Sequence, residues 1–172
     1  MKSIIFSLAF LLISLTSCKS PKASDFREAI IQKERVAFVI VLGKHGSETQ
    51  KLERLIKNDY KGALTLVDKQ AREFDKLIKD IETLPAKDIK QGNALKNAAI
   101  NYYTALKELH YFDRKEIVQS EAILQLKNEE LQAAQHNLVE LARQKKTLYE
   151  KLYKQEGVFH DALQKFNSVN HM

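Results

Sequence analysis

Apolar residues recur along most of this chain at intervals of three and four. That is the spacing of one helix face, and it predicts an all-α protein. A first helix is expected from about residue 25 to 42, with Phe26, Ile30, Ala37 and Val41 on one side. Ser24 stands where an N-cap would, followed by Asp25 and Glu28 near the positive end of the helix dipole. Val36 to Leu42 is an unbroken apolar run whose β-branched content also suits a buried strand. A strand needs a partner, and no second run of this kind exists after residue 17, so helix is favoured. Gly43 and Gly46 mark its end.

Ser47 with Gln50 has the spacing of a capping box. The stripe Leu52, Ile56, Tyr60, Ala63, Val67, Ala71, Phe74, Ile78 and Ile81 then predicts one long second helix, stopped by Pro85. Gly62 lies inside it, which implies a bend or a close approach by another helix. A third helix is expected over about 87–125, with Ile89, Leu95, Ala99, Tyr102, Leu106, Leu109, Ile117 and Ile123 on its inner side. Asp113 and Glu116 interrupt that stripe and suggest a local irregularity. Asn128 is the expected cap of a fourth helix, with Glu129 and Glu130 in its first turn.

The fourth helix carries the clearest pattern. Leu131, Leu138, Lys145, Leu152, Phe159 and Phe166 recur every seven residues, and Ala134, Leu141, Leu148, Gln155, Ala162 and Val169 follow three places later. Ten of these twelve are apolar, so a helix of about 40 residues, roughly 60 Å long, is predicted. Lys145, at a seam position, is expected to reach outward past its neighbours. Short loops between long helices imply antiparallel neighbours. The predicted architecture is an up-down antiparallel bundle of four helices over residues 25–172, the first one shorter.

Composition narrows the alternatives. Gly and Pro number 5 and 2 of 172 residues, too few for a sandwich or barrel of many short strands. A single cysteine excludes an intrachain disulfide and a Cys-rich zinc site. Net charge is +6, but lysines and arginines alternate with acids, as in Lys79-Asp80 and Glu150-Lys151. That pattern reads as a solvated face, with no nucleic-acid partner implied.

The N-terminus follows a different logic. Lys2 gives a basic start, and residues 4–15 are an apolar run of 12, too short for a bilayer span of roughly 20. Leu15, Thr16 and Ser17 then precede Cys18. This order resembles the lipobox of bacterial lipoproteins. The resemblance implies that Leu15, Thr16 and Ser17 are read by a signal peptidase, that residues 1–17 are removed, and that the Cys18 sulfur carries a diacylglycerol. Residues 18–24 then form the lipidated Cys and a polar tether. The mature chain would have 155 residues and a charge of +5. The partner so implied is a membrane, engaged through acyl chains. By resemblance to sorting rules in diderm bacteria, the lack of an acid after Cys18 implies the outer membrane, facing the periplasm.

Candidate chemistry is sparse, and no cofactor or metal is expected. None of the five histidines (His45, His110, His136, His160, His171) follows a Glu by three residues, as di-iron bundles require. Glu156 and His160 share a helix face as a surface pair or a weak metal site. Gly43-Lys44-His45-Gly46-Ser47 misses the phosphate-loop spacing, and no Gly-x-Ser-x-Gly elbow occurs. Tyr102-Tyr103 and Tyr149 with Tyr153 suit either a core edge or a partner surface.

Lys69–Ile78, Leu84-Pro85, Leu95–Tyr103 and Val158–Phe166 carry a wider resemblance, to small all-helical surface lipoproteins of Bacteroidota and spirochaetes. That group has no assigned activity, so the resemblance implies a bundle and no catalytic residues. The expectation is a membrane-tethered envelope lipoprotein, non-enzymatic, serving as a binding or structural module with a possible protein partner. Two rivals stay open. One is a periplasmic coiled-coil chaperone, whose small β-body only residues 36–42 would supply. The other is a metal-carrying bundle.

Overall fold

The computed structural model describes residues 20–172, all-helical apart from turns. The expected lipobox, Leu15 to Cys18, lies outside the described residues. Five helices follow in order: α1 (Pro21–Leu42), α2 (Ser47–Ile56), α3 (Tyr60–Glu82), α4 (Gly92–Ile123) and α5 (Asn128–Val169). They build four rods. α1 packs along the C-terminal half of α3, where Lys33 pairs with Asp80 at 2.9 Å. α2 begins near the middle of α3, where Ser47 donates to Glu73 at 3.2 Å, and runs along its N-terminal half, where Leu55 packs against the Ala63–Val67 cluster. α1 and α2 thus form one rod, broken at Gly43–Gly46, that runs antiparallel to α3.

α3 and α4 are antiparallel, as shown by Asp68 with Arg114 and Asp75 with Lys107. α4 and α5 are antiparallel too, with Glu108 against Lys151 and the Lys90 carbonyl against Asn170. The result is the expected up-down all-α bundle, with its turns differently placed.

The largest difference lies at residues 57–59. The sequence pattern runs through them as one helix, but the chain reverses there and α2 returns along α3. Asn58 takes a left-handed conformation (φ 56°). Asp59 caps α3 by accepting the Gly62 N–H at 2.8 Å. A Cβ at Gly62 would lie 2.2 Å from the Asp59 carboxylate, so this glycine accommodates the cap. Leu52 and Ile56, expected in the stripe, are exposed as a consequence, and Lys51 is buried in their place.

Smaller corrections follow from local chemistry. α1 begins at Pro21, not residue 25, because proline suits the first turn and its fixed φ favours helix. The tether expected over 18–24 therefore loses residues 21–24 to the helix, and Ser20, not Ser24, takes the N-cap position. Ser47 forms no capping box: its hydroxyl goes to Glu73, and Gln50 donates to the His45 carbonyl. Residues 36–42 are helical, as favoured over strand. α4 starts at Gly92, because the chain before it turns through left-handed Asp88 and Gln91. Asn128 has a positive φ and makes no side-chain cap.

One main core is built by Phe26, Ile30, Phe74, Leu77, Ile81, Leu95, Tyr103, Phe159 and Phe166. α5 matches its heptad pattern: none of the twelve seam positions is exposed, and Leu152, Phe159 and Phe166 are buried. Its end is fastened by Asn170, which donates to the carbonyls of Lys90 and Phe166 at 3.0 and 2.8 Å. No described helix is long and apolar enough to cross a membrane.

Candidate functional site

Two features break the ordinary pattern of an apolar core under a charged surface. The first is a buried charge cluster joining α2, α4 and α5. Lys51 is 3% exposed, and its ammonium bonds to Glu48 at 2.8 Å and to Asp113. Asp113 also accepts from Lys145 at 2.7 Å, and Lys145 reaches Glu116 at 2.6 Å. His110 Nδ1 stands 3.2 Å from Glu48.

Asp113 and Glu116 therefore cause no irregularity in α4. They face the lysine that interrupts the α5 seam, and Lys145 turns inward toward them, where a purely outward reach was expected. These bonds hold the Lys145 pKa above the usual lysine range, although burial, the largest single effect, opposes them.

Glu48, His110 and Asp113 offer donor atoms within 4.8 Å of one another, a metal-like grouping that spacing in the sequence does not disclose. The Lys51 ammonium, however, bonds to both carboxylates. A divalent ion would have to displace a buried cation already neutralising them. The cluster is thus built as an ion-pair network that fixes α2 against α4, with its acids and ammoniums satisfying each other.

Glu48 makes that network sensitive to acid. Burial, the largest single effect, raises its pKa, but hydrogen bonds from His110 and Lys51 outweigh it and hold the pKa at about 2, against an ordinary 4.5. A depressed carboxylate stabilises the fold fully above pH 4.5, and the contribution is lost as pH falls toward 2. The full difference corresponds to about 3 kcal/mol, and partial exposure of the side chain reduces it to about 2. Urea unfolding at pH 5 and at pH 2.5 is expected to show wild type losing about 1–2 kcal/mol more than Glu48→Gln over that interval. Equal losses would show that Glu48 is not the titrating group.

The second feature is a groove of about 440 Å³ between α1 and α5, floored by α4. The outer helices meet at one end, where the Phe26 and Phe166 rings lie 5.7 Å apart and Arg27 donates to Asn167 at 2.8 Å. Beyond that contact a trough remains, walled by Phe38, Val41 and Leu42 on one side and Phe159 and Leu163 on the other, with Tyr102, Tyr103 and Leu106 beneath. Its volume suits a small-molecule site. Phe38 and Leu42 are 60% and 64% exposed, a cost in apolar surface that an occupied groove would remove.

Tyr102-Tyr103, open between core and surface in the sequence, divides. Tyr103 is fully buried and Tyr102 half-buried, with its ring stacked 5.6 Å from Phe159. Tyr149 and Tyr153 lie on the exposed side of α5. Glu156 and His160 are exposed and stand along the groove. Val36 to Leu42 gave the one sequence signal for the groove, as an apolar run longer than one helix face can bury.

No family model matches this chain, and no curated protein or solved structure matches it either.

Proposed function

We propose that this protein is a lipid-tethered, non-enzymatic binding module of a bacterial envelope, held by acyl chains on Cys18 and binding through the groove between α1 and α5. The observation that carries the tether is the order of a basic start, a largely apolar stretch over residues 4–15 that ends on Leu15, and then Thr16-Ser17-Cys18, with Cys18 the only thiol. Only Lys19 and Ser20 intervene between Cys18 and the start of α1. That span is about 10 Å at full extension, so the bundle would stand close to the headgroups. By the sorting resemblance, the membrane is the outer one and the face periplasmic.

Two acyl chains make release negligible where one binds marginally, because each buried methylene contributes about 0.8 kcal/mol. The non-catalytic reading is supported by the charge cluster, whose acids and lysines are committed to one another. The chaperone alternative is weakened because residues 36–42, its only candidate β-body, are helical.

Cys18→Ser is expected to move the protein from the membrane fraction to the soluble or unprocessed fraction, while its helical circular dichroism is kept. Membrane fractionation of a leader-free Cys18→Ser chain equal to that of wild type would refute the tether.

A further inference from the structure

We propose that the groove between α1 and α5 binds an organic ammonium, a protonated amine carried on an apolar body. This rests on the groove being the binding site of the module and adds the chemistry of its ligand.

The first observation is charge. The chain carries 28 lysines and arginines against 22 acids, yet among the described residues no lysine or arginine lines the groove. Its charged lining is Glu34 from α1 and Glu156 from α5, one carboxylate on each wall. An anion would meet two like charges there, and a neutral molecule would gain nothing from either.

The second observation is the aromatic lining. Phe38, Tyr102, Tyr103 and Phe159 contribute to the walls and floor, and the rings of Tyr102, Tyr103 and Phe159 pack within 6.2 Å of one another. Ring faces are electron-rich and attract cations, and the accessible rings, Phe38 and the half-buried Tyr102, share the lining with the two carboxylates, a setting that favours ammonium over neutral ligands.

The third is the Tyr103 hydroxyl, which is fully buried and has no hydrogen-bond partner among the described residues. Burial of such a group is costly unless something pairs with it. Burial first, and then the Glu34 carboxylate, push its ionisation far upward, so the group stays neutral. Tyr102 is shifted the same way, by burial first and then by Glu156 and Glu34. The negative potential of Glu34 therefore reaches both floor tyrosines, and that of Glu156 reaches Tyr102. An ammonium between the walls would neutralise it, while its apolar body covers Phe38 and Leu42.

The test uses three probes of equal length on the purified full chain: hexylammonium, hexanol and hexanoate. Binding is followed by NMR shifts of the tyrosine and His160 ring protons. Hexylammonium is expected to bind at least about tenfold more tightly than either of the others, equivalent to about 1.4 kcal/mol. Glu34→Gln with Glu156→Gln should reduce it to the level of hexanol. Both positions are exposed, so the fold is kept, and unchanged hexanol binding by the double variant verifies this. Similar affinities for all three probes would overturn the ammonium proposal while leaving a binding groove in place. Absence of shifts at Tyr102 and His160, or a groove closed by a second copy of the chain in sedimentation, would overturn it as well. Loss of membrane attachment in Cys18→Ser is read separately, so failure of the tether and failure of the ligand class are distinguishable.

Discussion

Lys51→Met is expected to destabilise the protein by about 3–5 kcal/mol, a large part of the 5–15 kcal/mol typical of a domain. Removing the ammonium leaves Glu48 and Asp113 facing each other without it, in a site where Lys51 itself is 3% exposed. Lys145 can satisfy only one side of Asp113, through its Oδ1 contact at 2.7 Å. The loss therefore comes from stranded carboxylates more than from the lost attraction. Replacing Lys51, Glu48 and Asp113 together by apolar residues of similar size should recover part of that stability, since the buried charges leave together for packing while Lys145 keeps its bond to Glu116. Urea unfolding followed by circular dichroism measures both variants. A loss below about 1 kcal/mol in Lys51→Met would mean that the lysine is not what holds α2 to α4.

Phe166→Ala should cost about 3–5 kcal/mol, for a different reason. Phe166 is fully buried, and its ring meets Phe26 at 5.7 Å, where α5 joins α1. Truncation leaves a cavity at the contact that closes the bundle, one turn from the Asn170 bonds that fasten the chain end. The groove lies next to this contact, so ligand binding should weaken along with stability. Tyr153→Ala is the matched control. Tyr153 is 65% exposed, and its loss should change stability by no more than about 0.5 kcal/mol. Equal effects of the two substitutions would contradict the placement of α5 against α1.

How legible these features were depended on how local their causes are. α5 was readable because a seam position is fixed by residues three and four away, and its twelve positions fall on the covered side as the heptads require. The reversal at Asn58-Asp59 is masked in the sequence because Leu52, Ile56 and Tyr60 keep helical spacing across it. The local signal was Asn-Asp, a pair that favours turns and caps, followed three residues later by a glycine that leaves room for the carboxylate.

The buried charges were partly written in the sequence. Asp113 and Glu116 break one stripe and Lys145 breaks another, and opposite charges at matching levels of antiparallel helices are a pairing signal. Lys51 has no such mark, because its burial is set by an aspartate 62 residues away. The groove is similarly non-local. Glu34, Tyr103 and Glu156 belong to three helices, and nothing in their spacing brings them together.

The tether is the claim on which the proposed role turns, and intact-mass spectrometry of the mature protein from its native envelope tests it most directly. The expected species starts at Cys18, lacks residues 1–17 and carries the added mass of a diacylglycerol on sulfur. An unmodified Cys18 thiol, or a mature chain retaining the leader, would contradict it.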